Sequence, residues 1–300
     1  MTKTMRVFVT GATGWIGTAV LKELRAAGHT VLGMAHSDAG ADKLKAQGVE
    51  VYRGDIRDSK CLVEGVRSTD ATIHLAFHMD FSDFPKINQI DRDAINAMLD
   101  AMAGTNKAFV GTNGTLVVAK PGEVALETDH SAPSSPLTVR LQAERLVLDA
   151  AKRGVRGSVI RLAPTVHGAG DKGFIAMLIN IAREKKAAGY VDDGESHWPA
   201  VHRDDAARLY RLAVESAPPG TVLHGTAEEG VTMRMIAETI SEGVGVPTKC
   251  VAAAEASAHF GWMSMVVGLD NRVSSEATRE LLGWKPLQPG LLDDMRDHYF

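Results

Sequence analysis

A strand-like run at residues 6–10 leads directly into G-A-T-G-W-I-G (residues 11–17), and an amphipathic helical pattern follows. Gly11 permits a tight turn, Gly14 lets backbone N–H groups approach a pyrophosphate, and Gly17 lets the helix pack close to the strand. A helix N-terminus also attracts phosphate through its free N–H groups. This strand–turn–helix context favours a dinucleotide-binding turn over a glycine-rich turn without a ligand.

β-Branched runs alternate with segments of helical period through the first 165 residues, which is typical of βαβ units in a parallel sheet. In this part the pattern predicts strands near 6–10, 30–35, 49–53, 71–76, 107–112 and 157–162. It predicts helices near 15–27, 39–47, 58–67, 84–103 and 136–153, and beyond them near 171–186, 203–216, 232–243 and 274–282. Ser135 can cap the helix at 136–153, and Pro136 suits its first position.

The predicted fold class is α/β: a Rossmann doubly wound parallel sheet with a smaller C-terminal α/β substrate lobe. Residues 1–165 would form the NAD(P)-binding domain, together with a return segment at about 203–226. Residues 166–202 and 227–300 would form the substrate-binding lobe over the carboxyl ends of the strands.

Composition narrows the possible partners. A formal net charge of -4 provides no basic field for a nucleic acid, so we expect no nucleic-acid partner. The apolar run near the N-terminus is too short for a signal or spanning helix, so we expect a cytoplasmic protein without a membrane partner. The two cysteines, Cys61 and Cys250, fit a reducing compartment, and no Cys/His spacing indicates a metal site.

Several segments together resemble the extended and atypical short-chain dehydrogenase/reductases, the NAD-dependent epimerase/dehydratase-like superfamily. Residues 10–17 match the spacing T-G-x-x-G-x-x-G of that family. G-D-I-R-D (54–58) is similar to its loop after the third strand, and A-T-I-H-L-A (71–76) to its fourth strand. Residues 161–171 resemble R-P-x-x-V-Y-G-P-G-D, and 201–207 resemble V-H-V-x-D-V-A. The resemblance implies an NADP or NAD cofactor.

The glycine turn and the resemblance together imply a set of cofactor-binding residues, in which Asp55 and Ile56 would contact the adenine. The set is Gly11, Thr13, Gly14, Trp15, Ile16, Gly17, His36, Ser37, Asp55, Ile56, Leu75, Ala76, Phe77, Arg140, Pro164 and Val166.

The end of the second predicted strand bears on the choice between the two cofactors. NAD sites commonly place an acidic residue there to accept from the ribose 2′-OH. Here the strand ends with A-H-S (35–37), and His36 and Ser37 could serve a 2′-phosphate. Asp38 could still turn inward, and His36 could be a solvent-facing strand end. The sequence favours NADP over NAD.

The family's Y-x-x-x-K pair is missing from this chain. Tyr52, Tyr190 and Tyr210 are followed four residues later by Ile, Gly and Val, and Tyr299 stands next to the last residue. The alignment of the fifth helix puts Pro136 at the tyrosine position and Arg140 at the lysine position. Arg140 could bond the nicotinamide ribose, or it could pair with Glu144 at i,i+4.

Other groups must then supply the catalytic hydroxyl and the proton. Thr112, Asn113 and Thr115 are candidates for polarising a carbonyl, and we favour Thr112. Histidine titrates near neutral pH, so His78, His167 and His202 are candidate general acids, although structural hydrogen bonds are the alternative for such histidines. The substrate-binding residues are predicted to be Asn113, Tyr190, Trp198 and His202.

The sequence thus predicts an oxidoreductase that reduces a small aldehyde or ketone with NADPH, with Thr112, His78, His167 and Arg140 as catalytic residues. Two alternatives remain open. The lost tyrosine and lysine fit a catalytically silent NAD(P)-binding sensor or regulator, and the family resemblance also fits a redox-neutral epimerase or dehydratase. The expected partner is a small carbonyl compound, and the protein is expected to be a monomer or a homodimer.

Overall fold

The computed structural model describes residues 4–77, 83–130 and 137–300. Its strands, in chain order, are β1 (Arg6–Thr10), β2 (Thr30–Ala35), β3 (Glu50–Arg53), β4 (Ala71–His74), β5 (Ala108–Gly114), β6 (Val124–Ala125), β7 (Arg156–Leu162), β8 (Thr165–His167), β9 (Ala188–Val191), β10 (His197–His202), β11 (Thr221–Gly225), β12 (Glu228–Thr232), β13 (Thr248–Val251) and β14 (Arg272–Val273). Its helices are α1 (Trp15–Ala26), α2 (Asp38–Ala46), α3 (Ser59–Arg67), α4 (Phe84–Met102), α5 (Leu141–Asp149), α6 (Phe174–Lys185), α7 (Arg203–Ser216), α8 (Met233–Val244), α9 (Ala256–Phe260), α10 (Ser264–Val267), α11 (Glu276–Leu282) and α12 (Leu291–His298).

Seven parallel strands form the central sheet in the order β11-β7-β5-β4-β1-β2-β3. Apolar side chains alternate between its two faces, because successive residues of a strand point to opposite sides. Val7 and Val9 of β1 pack with α1 and α7, whereas Phe8 packs with α3 and α4. The doubly wound α/β fold predicted from the sequence is confirmed.

The strand order reverses at β1, which lies between β2 and β4. In a doubly wound sheet the connections from such a point run to opposite faces, so a crevice opens at the carboxyl ends of these strands. The glycine turn after β1 lies at this switch point, so the fold places it in the crevice.

A second core lies in the C-terminal half, where α6, α8, α9 and α12 pack around β10. β10 pairs in parallel with β8 and antiparallel with β12. β9 and β13 form a separate parallel pair. The proposed boundaries between a cofactor domain and a substrate lobe stay a prediction.

Several predicted elements have different bounds in the structure. β4 ends at His74, so that residues 75–77 form a loop at the crevice. The helix predicted at 136–153 consists of α5 between two short 3-10 turns, at Thr138–Arg140 and Ala150–Arg153. Its predicted start, Ser135 and Pro136, lies outside the described residues. The sequence pattern gave no bounds for β11, which lies in the predicted return segment and forms an edge of the sheet, and it did not predict α12.

Candidate functional site

The glycine turn between β1 and α1 has almost no room for side chains. Gly11 has a positive φ of 66°, and a Cβ added there would lie 2.7 Å from the backbone nitrogen of Ala76. A Cβ on Gly17 would lie 2.2 Å from the carbonyl oxygen of Gly11. These contacts explain two of the three glycines by close packing of the turn against β4 and α1.

Gly14 is different because it faces open space. It is exposed and precedes the first residue of α1, and no side chain caps this helix end. A Cβ there would meet only the carbonyl oxygen of Gly11, at 3.2 Å. The free N–H groups of the first turn of α1 therefore remain available to an anion.

A cleft of about 720 Å³ runs from this turn along the carboxyl ends of the strands. Nine of the predicted cofactor residues line it: Gly11, Thr13, Gly14, His36, Asp55, Ile56, Leu75, Ala76 and Phe77. An open helix N-terminus and a cleft of this size fit a dinucleotide. Trp15, Ile16, Gly17, Ser37, Arg140, Pro164 and Val166 are not among its lining residues, and their contacts with a cofactor stay predictions.

The end of β2 carries no carboxylate, since its last residue is the buried Ala35. Next to it, His36 lines the cleft, whereas the Ser37 hydroxyl accepts from the N–H of Gly40 and caps α2. At Asp55, which also lines the cleft, hydrogen bonds from the Arg57 guanidinium lower the pKa of the carboxyl group to about 2.

A buried hydrogen-bond chain links the ends of β1 and β4 to α4. The Thr10 hydroxyl oxygen accepts from the backbone N–H groups of Leu75 and Ala76, so its own hydrogen goes to His74 Nδ1 at 2.7 Å. His74 then carries its proton on Nε2 and donates to Asp91 at 3.2 Å. This chain of bonds fixes the loop after β4 along the cleft, which is a structural role.

Thr112, the favoured catalytic hydroxyl, is partly exposed near the end of β5. Its hydroxyl donates to the carbonyl oxygen of His74 at 2.8 Å. Tyr210 Oη lies 2.8 Å from Thr112 Oγ1 and is the donor of that bond, because the single Thr112 hydrogen is already engaged. Tyr210 is fully buried, and burial raises its pKa well above the usual range. The sequence interpretation did not assign Tyr210 a role, since it comes from α7, 98 residues further along the chain.

Arg140 lies between Thr112 and the loop after β4. Its guanidinium stacks on the Phe77 ring at 4.0 Å, and Nη2 donates to the Thr112 carbonyl oxygen at 3.3 Å. Its Nε is buried and has no partner among the residues that the structure describes. The alternative pairing of Arg140 with Glu144 is wrong, because Glu144 binds Arg161 and Asn113 instead.

The Glu144–Arg161 pair is almost completely buried and joins α5 to β7. Arg161 donates to both carboxylate oxygens of Glu144, and also to the carbonyl oxygen of Asp129. Asn113 donates to Glu144 at 2.9 Å, and its side-chain oxygen accepts from the N–H of Gly114. Asn113 was predicted to bind substrate, but the structure uses its amide in this buried network, and we correct its role to a structural one.

Two of the candidate histidines lie where the C-terminal helix α12 packs on β8. His167 is 1% exposed, and its Nδ1 pairs with Asp294 at 2.8 Å. His202 accepts from the N–H of Asp204 and caps α7, and burial lowers its pKa. Asp294 also binds His298. The predicted proton donor His167 is therefore corrected to a buried partner of Asp294, whereas the substrate role of His202 stays a prediction.

The two aromatic candidates for substrate binding belong to the C-terminal core. Trp198 is fully buried, packs against Phe174 and donates to the carbonyl oxygen of Val266, so the prediction that it lines a pocket is wrong. Tyr190 is half-buried on β9, and its hydroxyl accepts from Arg234. The contact of Tyr190 with substrate stays a prediction.

Trp15, in the first turn of α1, joins the glycine turn to the segment after β7. Its indole N–H donates to the carbonyl oxygen of Val166 at 2.9 Å, and the Arg203 guanidinium stacks on its ring at 4.0 Å. Pro164, two residues before Val166, is partly exposed, as is Ile16 next to Trp15. These contacts hold the turn in place from outside the cleft.

Two predicted features lie outside the described residues: the candidate general acid His78, and Pro136 at the position of the family's tyrosine. Within the described residues, no helix is both long and apolar enough to cross a membrane. In that same part of the chain, His, Cys, Asp and Glu side chains form no group of three that could hold a metal ion.

Comparison with known proteins gives concordant matches. The model of the NAD dependent epimerase/dehydratase family matches residues 7–224. An uncharacterized protein of Saccharomyces cerevisiae is 43% identical over 297 residues, covering 98% of this chain and 99% of the relative. The 4-hydroxy-2-methyl-3-oxo-4-farnesyl-3,4-dihydroquinoline-1-oxide ketoreductase of Stigmatella aurantiaca is 27% identical, covering 87% and 82%. The crystal structure of Thermus thermophilus UDP-glucose 4-epimerase with NAD superposes with a TM-score of 0.78 at 20% identity, covering 98% and 99%, which shows the shared fold.

Proposed function

Since the chain belongs to the NAD dependent epimerase/dehydratase family, we propose that it reduces a small aldehyde or ketone with NADPH. One observation carries this proposal: near the end of β5, Thr112 carries a hydroxyl, and the backbone carbonyl oxygen of the same residue accepts from Nη2 of Arg140, a permanent cation. A hydrogen-bond donor beside a fixed positive charge suits a carbonyl oxygen that becomes an alkoxide. The ketoreductase activity named for the Stigmatella aurantiaca relative supports the same reaction class.

The cleft would hold the cofactor with its pyrophosphate at the N-terminus of α1 and its nicotinamide towards β4 and β5. When bound, NADPH supplies the hydride that adds to the carbonyl carbon. The loop that Thr10 fixes, which includes Phe77, would form the adjacent wall of the cleft.

Thr112 would bind the carbonyl oxygen of the substrate. Its hydroxyl hydrogen points at the His74 carbonyl oxygen in the structure and can rotate to the substrate while Oγ1 still accepts from Tyr210. Tyr210 therefore keeps Thr112 a donor, because it fills an acceptor site of the same oxygen. The raised pKa of Tyr210 makes it a weak acid, so we assign it a positioning role.

Arg140 would stabilise the negative charge that develops on the oxygen. Burial lowers the pKa of its guanidinium, yet arginine stays charged near neutral pH and transfers no proton. A different group must protonate the alkoxide. We propose His78, which follows the loop after β4 in sequence; its imidazolium would give up a proton and recover it from solvent.

The test is an assay of the purified protein with NADPH and a panel of short aldehydes, ketones and β-keto esters, in which alcohol formed must equal NADPH consumed. Arg140→Gln and Thr112→Val should each lower kcat by roughly a hundredfold or more, the scale for losing one oxyanion donor. Arg145→Gln is the matched control, since Arg145 is exposed on α5, the helix that begins directly after Arg140. NADPH binding without oxidation by any carbonyl would support the sensor, and conversion of substrate without net NADPH consumption would support an epimerase.

A further inference from the structure

We propose that Arg53, the last residue of β3, binds the 2′-phosphate of NADPH together with His36, and that Asp38 is the counter-ion that the phosphate displaces. The proposal rests on the NADPH preference stated above and names the residue that produces it.

The register of the sheet places Arg53 beside the end of β2. Ala35 is paired with Arg53 across β2 and β3, so both strands end at the same level of the crevice. Arg53 Nη2 lies 3.4 Å from the carbonyl oxygen of His36 and 3.1 Å from Oδ1 of Asp38. In dinucleotide-binding folds, the end of β2 is where the ribose 2′ substituent of the cofactor lies.

Arg53 can exchange its partner at low cost. The Arg53 side chain is 48% exposed and that of Asp38 is 98% exposed. An ion pair open to water contributes little, because solvent screens its attraction. A phosphate carries more charge and presents oxygens that match the guanidinium fork, so it competes favourably with a single exposed carboxylate.

The neighbouring polar groups are less available. Arg57 donates to both oxygens of Asp55, at 2.9 and 2.6 Å, within the same loop. The Ser37 hydroxyl caps α2 by accepting from Gly40. Of the two arginines near the end of β2, Arg53 therefore has the partner that is easier to replace, and His36 supplies a polar side chain that lines the cleft.

The experiment measures dissociation constants of the full-length protein for NADPH and NADH, and for 2′,5′-ADP and 5′-AMP, by isothermal titration calorimetry. Arg53→Gln should raise the dissociation constants of NADPH and 2′,5′-ADP by roughly ten- to a hundredfold, the scale of a hydrogen bond to a charged group. The dissociation constants of NADH and 5′-AMP should stay nearly unchanged. Asp38→Asn should act in the opposite direction and tighten NADPH, because the competing carboxylate is gone. A higher salt concentration should reduce the effect of either substitution on NADPH binding, because the side chains of Arg53 and Asp38 are both exposed to solvent.

Arg6→Gln is the matched control. Arg6 also lies on the central sheet and pairs with an exposed carboxylate, Glu50, but it is at the amino end of β1, opposite the crevice. It should leave all four affinities unchanged. Equal weakening of NADPH and NADH by Arg53→Gln, or weaker NADPH binding in Asp38→Asn, would overturn the proposal. A parent protein that prefers NADH would also overturn it while leaving a reductase possible, whereas a folded parent that binds neither nucleotide would overturn the proposed function as well.

Discussion

Replacing Gly14 with valine separates cofactor binding from folding at the phosphate turn. Gly14 has φ -74° and ψ 176°, an extended conformation that valine adopts without strain. The new Cβ would lie 3.2 Å from the carbonyl oxygen of Gly11, a contact that a shift of a few tenths of an ångström relieves, and it has no other neighbour within 4 Å. The side chain would project into the cleft, so we expect a folded protein with a blocked phosphate site.

The size of the effect follows from the bonds that the valine prevents. Trp15 and Ile16 begin α1, and their N–H groups have no side-chain cap. A hydrogen bond from a backbone N–H to a charged group contributes about 1.5–3 kcal/mol, so the loss of two raises the dissociation constant by roughly 10²–10⁴-fold. NADPH and NADH should lose the same factor, because both carry the pyrophosphate.

The assay is calorimetric titration of both nucleotides, with circular dichroism and urea unfolding as checks of the fold. Gly268→Val is the matched control, since Gly268 has an ordinary φ of -90° and no atom within 4 Å of an added Cβ. Gly17→Ala supplies the opposite case: its Cβ would lie 2.2 Å from a backbone oxygen, so this variant should fail to fold stably. A folded Gly14→Val protein that binds NADPH as tightly as the parent would refute the assignment of this turn.

Three further predictions concern buried polar groups. Tyr210→Phe should lower kcat by roughly three- to tenfold, the scale of one hydrogen bond, with NADPH affinity unchanged; in a double-mutant cycle it should have no effect on top of Thr112→Val, and additive losses would contradict the positioning role. Glu144→Gln should reduce the free energy of unfolding in urea by about 3–5 kcal/mol, because it leaves the charge of Arg161 buried without a counter-charge; a loss below about 1 kcal/mol would contradict this. Burial lowers the pKa of His224 to about 4, and an unfolded histidine titrates near about 6.5, so the unfolded chain binds more protons between these values. The free energy of unfolding should therefore fall as the pH drops from 6.5 towards 4, by at most about 3 kcal/mol. His224→Asn, if it folds, should remove this part of the pH dependence of the free energy of unfolding measured in urea.

The Rossmann half of the fold could be predicted because its signals are local. β1 and β2 are buried runs of apolar residues bounded by turn residues, and their predicted limits agree with the structure. The predicted limits of α7 also agree, since His202 and two acidic residues mark its start. The eight-residue α12, L-L-D-D-M-R-D-H, has only three buried residues and is too short to show a helical period in the sequence. β11 is similarly short, and what makes it a strand is its pairing with β7.

The same distinction applies to the candidate site. The predicted cofactor residues that line the cleft follow strand ends, so local motifs were enough to predict that they lie there. Contacts between distant segments leave no such signal: Thr112 and Tyr210 are 98 residues apart, and His167 and Asp294 are 127 apart. Trp198 was misjudged because an aromatic residue between loops fits a pocket wall as well as a core, and only tertiary packing decides between them.

In the proposed mechanism, the charge and the hydroxyl near the end of β5 come from several elements. A tyrosine–lysine pair would supply both from one helix. Arg140 keeps the lysine position and its charge but cannot exchange protons, and the hydroxyl comes from Thr112 with Tyr210 behind it. Arginine stays charged near neutral pH, and burial raises the pKa of Tyr210, so neither group changes its charge there. In the proposed mechanism, stabilisation of the oxyanion would then be independent of pH, and only delivery of the proton would depend on a titrating group. If Thr112 and Arg140 bind the oxyanion as proposed, the pH dependence of kcat would therefore report the proton donor separately from oxyanion binding.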